Sequence, residues 1–217
     1  DESGSLATTD PTGQRIVAAQ AALTTLADLS SNPVAGVTPM VEVKFAAFGA
    51  DFSSLTDWSL LDRTTLDDLQ PVVESFATRN TAQDTDFANA LLGAELTLSE
   101  HASSLFQQGI TGCNALMLFT DGKLDIETRA SGEVKSYAPD LPLNVPGNAD
   151  LAEQRAIGTL CDAGGVADRL RTSGVHVITI ALASSIAAED QAFTQALTTG
   201  TSDSTTCGEA PGTRGQY

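Results

Sequence analysis

The feature that most constrains the fold is a continuous apolar run at residues 115–119, which ends abruptly in Thr120-Asp121-Gly122. An unbroken apolar segment of this length is typical of a strand covered on both faces, as found in parallel sheets between layers of helices. Val175 to Ala183 has the same character and predicts a second buried strand. Because ligands of such sheets collect beyond the carboxyl ends of the strands, Asp121 is a candidate site residue.

Segments with strand and helix patterns alternate along the rest of the chain. Residues 41–45 have the pattern of a strand with one solvent-exposed face, and residues 52–61 could form a short strand antiparallel to it. Helical spacing or capping residues predict the following helices: 11–30, 65–78 with a kink or break at Pro71, a long helix after Asp84-Thr85-Asp86, a broken helix ending near Leu170, and 189–199. This alternation predicts an α/β fold with a doubly wound, mostly parallel sheet and helices on both faces.

Length and charge limit the classes of function. The 217 residues suit a single domain, and 41% of them are hydrophobic. The net charge of −17 and the pI of about 4.1 disfavour nucleic-acid binding, because such a surface repels phosphates. No apolar run approaches the roughly 20 residues of a membrane helix, so we expect no membrane insertion within this segment. The acidic composition is compatible with a secreted bacterial protein.

The first five residues offer oxygen ligands from one tight loop. Asp1, Ser3 and Ser5 supply one carboxylate and two hydroxyls, and Gly4 lets the backbone curl so that they converge. Oxygen ligands suit a hard cation such as Mg²⁺, Mn²⁺ or Ca²⁺, and nothing here suits zinc or copper. By itself the pattern is also typical of ordinary turns and helix caps. Thr85, at the start of a helix, and Asp121, after a strand, could meet this loop at one rim of the sheet.

Three separated elements resemble the von Willebrand factor type A family and its metal-ion-dependent adhesion site. They are Asp1-x-Ser3-x-Ser5, the distant Thr85-Asp86, and Phe119-Thr120-Asp121-Gly122. The resemblance implies a Rossmann-like fold and a metal site built from Asp1, Ser3, Ser5, Thr85 and Asp121. It implies that the hydroxyls bind the metal directly and that the aspartates act largely through water. Mg²⁺ is the expected cation, with Mn²⁺ or Ca²⁺ as alternatives.

The function implied by this resemblance is adhesion. A divalent ion contacted mainly by neutral oxygens remains a Lewis acid that can accept an Asp or Glu side chain from a protein or extracellular-matrix ligand. We therefore expect a metal-dependent protein-binding module rather than an enzyme, located outside the cell or at its surface.

The expected domain organisation is a single type A domain over residues 1–217, with insertions near 62–83, 123–148 and 201–214. The family places a central strand before its first motif, and a strand and a helix close the fold. Neither counterpart lies in these residues, so we expect them to be a segment of a longer polypeptide. We expect the 123–148 insertion to help choose the partner, and its deletion to leave metal binding largely intact.

Two alternative functions differ in class. A haloacid-dehalogenase-type phosphohydrolase also uses an aspartate after a strand, but it needs a second aspartate where Ser3 stands; a serine hydrolase would need a GxSxG elbow, which is absent. A type A accessory subunit of an ATP-driven chelatase or remodelling complex would need a partner ATPase, because the chain has no P-loop.

The cysteines and histidines show no metal-ligand spacing. Cys113, Cys161 and Cys207 fit no CxxC pattern. Cys113 precedes a predicted buried strand and Cys207 follows a helix that should run back toward the same rim, opposite the metal, so we expect a Cys113–Cys207 disulfide if the protein is extracellular. His101 and His176 are expected to have structural or surface roles.

Overall fold

Two parallel strands pair along their whole length. β5 (Asn114–Thr120) and β6 (Val175–Ala181) run in register from Asn114 opposite Val175 to Thr120 opposite Ala181. The computed structural model describes residues 1–32, 39–182 and 188–199. The parallel pair confirms both predicted strands, and Asp121 follows β5 directly, as expected.

Two small antiparallel sheets follow the first long helix in the chain. β1 (Glu42–Val43) pairs with β4 (Ser59–Leu60), and β2 (Ala46–Phe48) pairs with β3 (Phe52–Ser54). These pairings confirm the predicted antiparallel strand in residues 52–61. Together with the parallel pair they establish a mixed α/β structure.

The longer described helices correspond to the predicted helical segments, whereas the short helix α1 (Leu6–Thr9) was not predicted. The others are α2 (Gln14–Ser31), α3 (Leu66–Ser75), α4 (Phe87–Gln107), α5 (Asn148–Cys161), α6 (Val166–Thr172) and α7 (Ala188–Thr199). Pro71 lies inside α3, which continues into a short 3₁₀ turn at Phe76–Thr78. Within the described ranges, no helix combines the length and apolar composition that crossing a membrane requires.

The start of α2 differs from the prediction by one turn. Pro11 was expected at the first helical position, but the helix begins at Gln14, after a turn. The side chain of Asp10 accepts hydrogen bonds from the backbone N–H groups of Gln14 (2.5 Å) and Arg15 (3.2 Å). Asp10 therefore satisfies two of the free N–H groups at the start of α2, which is the capping role predicted for this residue.

The largest core cluster is built on one face of α4. Phe87, Leu91, Ala94 and Leu98 are buried, as their helical spacing predicts. This face joins the buried side chains of β5, β6, α5 and α6 in one cluster. A second cluster packs α2 against α3 around Leu23, Leu61 and Val73.

The expectation that β5 is covered on both faces is wrong. Leu118 and Thr120 are buried, but Ala115 is exposed and Met117 retains 38% of its surface. The reason is an apolar groove of about 600 Å³ that separates β5 from β1, β2 and α2. Among the described strands, β5 pairs with β6 alone, so its other edge faces this groove.

The insertions differ in structure. Residues 62–83 contain α3 and the 3₁₀ turn, whereas residues 123–147 are irregular and contain isolated bridges at Asp125 and at Lys135–Ala138. The third insertion, residues 201–214, lies outside the described residues, and so does Cys207.

The predicted Cys113–Cys207 disulfide is wrong. Cys113 is a free, exposed thiol, and Cys161, at the end of α5, is disulfide-bonded. The prediction rested on the rim at which each element ends. That placement is too coarse, because a bridge needs Cα atoms within about 7 Å and correctly directed Cβ atoms.

This arrangement predicts different reactivities for Cys113 and Cys161. Under native, non-reducing conditions, iodoacetamide should alkylate Cys113 and leave Cys161 unmodified, because Cys113 carries an exposed thiol and the sulfur of Cys161 is in a disulfide. Peptide mass mapping checks this. Alkylation of Cys161, or protection of Cys113, would contradict the assignment.

Candidate metal centre

The Asp1 loop brings its three oxygen-bearing side chains together. The Ser3 backbone N–H donates to Asp1 Oδ1 at 2.8 Å, and the Ser3 and Ser5 hydroxyls lie 2.9 Å apart. Ser3 is buried and Ser5, directly before α1, is exposed. The two hydroxyls therefore lie together, and the Asp1 carboxylate is held at the backbone of Ser3.

Backbone hydrogen bonds fix this loop between two neighbouring segments. Glu2 donates to the Phe48 carbonyl at 2.7 Å, which ties the loop to the end of β2. Gly4 donates to the Ala82 carbonyl and Ala82 donates to the Glu2 carbonyl, both at 2.9 Å. The loop therefore runs beside residue 82, three residues before Thr85.

Asp121 lies beside the same loop. The Thr120 hydroxyl donates to Asp1 Oδ2 at 2.8 Å, and the Thr9 hydroxyl donates to Asp121 Oδ2 at 2.9 Å. The other oxygen, Asp121 Oδ1, is buried and has no hydrogen-bond partner among the residues that the structure describes. Burying a carboxylate oxygen without a partner is unfavourable in free energy, so a hydrogen-bond donor or a cation at this atom would be stabilising.

Thr85 is held by its backbone against the segment that follows Asp121. It forms an antiparallel bridge with Asp125, in which the Thr85 N–H donates to the Asp125 carbonyl at 2.9 Å. In the part of the chain that the structure describes, no hydrogen bond joins the Thr85 hydroxyl to Asp1, Ser3, Ser5 or Asp121. The cap of α4 is Asp86, which accepts from the Asn89 N–H at 3.0 Å, so capping does not occupy Thr85.

The buried guanidinium of Arg15 holds the backbone of the Asp1 loop by a hydrogen bond. Arg15 donates from Nη1 to the Asp1 carbonyl at 2.9 Å, and its Nε lies 3.6 Å from Asp10 Oδ2. Both side chains are almost fully buried. The Asp10 and Arg15 pair therefore joins the start of α2 to the backbone that carries Asp1.

The two aspartates that flank Thr85 belong to a buried network of charges. Lys135 Nζ lies 2.7 Å from Asp84 Oδ2 and 3.3 Å from Asp86 Oδ2, and Arg129 Nη2 lies 2.7 Å from Asp84 Oδ2. Tyr137 donates its hydroxyl to Asp86 Oδ2 at 2.9 Å. The residues from 129 to 137 therefore hold both neighbours of Thr85.

Burial and charge shift the pKa values of these groups in different directions. Burial raises the pKa of the Asp86 carboxyl. Burial alone would also raise the pKa of Asp84, but its contacts with Lys135, the Glu127 N–H and Arg129 outweigh that effect and hold the pKa below its usual range. Burial, together with the neighbouring Asp86, raises the pKa of Tyr137 far above its ordinary value, so the phenol remains a donor.

The donor set at the loop fits a hard cation. Asp1 and Asp121 supply carboxylates, and Ser3 and Ser5 supply neutral hydroxyls, which are ligands that Mg²⁺ and Mn²⁺ accept. Within the described ranges, no group of three or more His, Cys, Asp or Glu side chains could hold a metal. A cation here would therefore depend on hydroxyl ligands and on the unpartnered Asp121 Oδ1.

Several residues at the site were missed as site residues by sequence reasoning. Thr9 and Thr120 anchor the two aspartates, and Lys135 and Arg129 neutralise the flanks of Thr85. A signal for Lys135 existed. Two aspartates directly flank Thr85, and the next residue, Phe87, is the buried first residue of α4. Carboxylates at such a position need cationic partners, and lysine and arginine are scarce in this acidic chain.

The histidines lie away from this loop. His101 stacks on Trp58, with ring centroids 3.9 Å apart, and its Nε2 lies 3.0 Å from Glu42 Oε2. His176 is exposed on β6. Both positions agree with the expected structural and surface roles.

No protein-family model, curated protein or solved structure matches this chain.

Proposed function

We propose that the Asp1 loop and Asp121 hold a divalent cation, with Mg²⁺ the expected ion, and that this cation binds an acidic group of a protein or matrix partner. The observation that carries the proposal is the buried, unpartnered Asp121 Oδ1 beside a loop in which Asp1, Ser3 and Ser5 converge. A cation would compensate the cost of burying that oxygen without a partner. Thr85 is the fifth proposed ligand.

The charges of the proposed ligands favour binding of an acid. Two carboxylates balance a divalent ion, and the hydroxyls of Ser3, Ser5 and Thr85 add no charge. The bound ion would supply a Lewis acid at an exposed position next to Ser5, where an anionic side chain can reach it. The chain's own residues orient the ion, and the partner supplies the remaining ligand.

We propose the doubly wound type A arrangement as the finer description of the fold. Such a sheet would need a further strand between β2 and β5, and the apolar groove lies between these strands. The groove is lined by the exposed face of β5, including Ala115 and Met117. A strand in this position would form hydrogen bonds with the edge of β5 that faces the groove.

An extracellular or cell-surface location is part of the proposal, and the disulfide at Cys161 supports it. Disulfides persist in oxidising compartments and are rare in the cytosol. The same observation disfavours the alternative of a cytoplasmic subunit of an ATP-driven machine.

Removing one ligand should weaken cation binding and leave the fold intact. We expect Asp121→Ala and Ser3→Ala each to lower Mg²⁺ and Mn²⁺ affinity at least tenfold, about 1.4 kcal/mol, because each removes an oxygen from the site. Isothermal titration measures the affinity, and circular dichroism checks the fold. Asp57→Ala and Ser104→Ala remove matching side chains at exposed positions and serve as controls. Equal affinity in the Asp121 variant and its control would contradict the site.

Binding of an acid by the cation should be visible through the water that it displaces. Mn²⁺ bound at an open site shortens the relaxation time of water protons, and a Glu-containing peptide should partly reverse this effect by replacing coordinated water. The same peptide with Gln should leave the relaxation unchanged. An equal response to both peptides would contradict recognition of an acid. Metal-dependent hydrolysis of a phosphate ester that is lost in Asp1→Ala would favour the phosphohydrolase instead.

A further inference from the structure

Residues 125–137 form a strap that holds the segment carrying Thr85. The Asp125 carbonyl accepts from the Thr85 N–H at 2.9 Å, and the Glu127 N–H donates to Asp84 Oδ1 at 3.0 Å. Further along the strap, Lys135 contacts both Asp84 and Asp86. The strap thus contacts Thr85 itself and both of its neighbours.

Lys135 is the centre of these contacts. The residue is 2% exposed, and its ammonium also donates to the Ala50 carbonyl at 2.8 Å. Asp84 and Asp86 are themselves fully buried. Two carboxylates on either side of one residue repel each other unless cations compensate them. Arg129 pairs with Asp84 alone, whereas Lys135 contacts both carboxylates, so its ammonium stabilises this conformation of the Thr85 segment.

The strap also connects Thr85 to the other side of the proposed site. Asp121 directly follows β5, and Asp125, the strap residue that pairs with Thr85, comes only four residues later. The backbone between Asp121 and Asp125 is therefore short. The pairing limits how far apart Asp121 and Thr85, two proposed ligands that are distant in the sequence, can lie.

We propose that Lys135 is a positioning residue for the cation site, acting through the strap on Thr85. This inference rests on the proposed cation function. It reverses the expectation that the 123–148 insertion serves partner choice and can be removed without loss of metal binding. The strap supports the ligand set, and Lys135 reaches the cation only through Asp84, Asp86 and the backbone of Thr85.

The experiment measures Mn²⁺ affinity of the full chain by the paramagnetic resonance signal of free Mn²⁺. Lys135→Met keeps the length of the side chain and removes its charge, and we expect at least a tenfold loss of affinity. Arg155→Met, which removes an exposed cation paired with Asp140, is the matched control and should bind Mn²⁺ as the unmodified chain does.

A double-mutant cycle separates positioning from general destabilisation. In a Thr85→Ala background, Lys135→Met should cause little further loss of affinity, because the ligand that it positions is already absent. Additive losses would show that Lys135 acts on the whole fold and would overturn the proposal. Unchanged affinity in Lys135→Met alone would overturn it as well.

A milder variant covers the case in which Lys135→Met does not fold. Tyr137→Phe removes only the hydroxyl that donates to Asp86, and it should lower Mn²⁺ affinity in the native background but not in Thr85→Ala. An equal effect in both backgrounds would overturn the role of the strap. If the unmodified chain itself binds no Mn²⁺, the proposed cation function fails first, which distinguishes the two failures.

Discussion

The arrangement of the candidate site depends on how buried carboxylates are compensated. Asp84 and Asp86 are paired with the cations and donors of the strap, and Asp10 is paired with Arg15 and the start of α2. Removing one partner of a buried pair typically costs about 3–5 kcal/mol, so these contacts strongly favour one conformation of the loops. Asp121 differs, because among the described residues its Oδ1 has neither a hydrogen-bond partner nor an ion-pair partner.

That contrast assigns different roles to acidic residues that look alike in the sequence. Asp84 and Asp86 are satisfied by the protein and hold Thr85 in place. Asp1 and Asp121 are held by Thr120 and Thr9 through neutral hydroxyls, and among the described residues no lysine or arginine forms an ion pair with either carboxylate, although the charge of Arg15 acts on Asp121 from a greater distance. Carboxylates without an ion-pair partner beside the Ser3 and Ser5 hydroxyls are ligands of the kind that a hard cation accepts.

The sequence predicted the elements whose patterns are local. The helix after Asp86 shows its buried face in the spacing of apolar residues, and the position of Asp121 follows from the end of an apolar run. The strap could not be predicted this way, because Lys135 is about 50 residues from Asp84 and charged loop residues carry no periodicity. The wrong disulfide and the half-exposed β5 have a common cause. The disulfide was inferred from where elements end and the covered strand from an unbroken apolar run, and neither signal shows which elements pack against β5 or which Cβ atoms face each other.

The most direct test is a crystal structure of the protein grown with Mn²⁺, in which anomalous scattering locates the ion. A cation site at the Asp1 loop predicts one strong peak next to Asp121 Oδ1, at about 2.1–2.2 Å from the hydroxyl oxygens of Ser3 and Ser5. A structure in saturating Mn²⁺ with no peak at this loop, or with its peak elsewhere, would contradict the site and the adhesion function built on it.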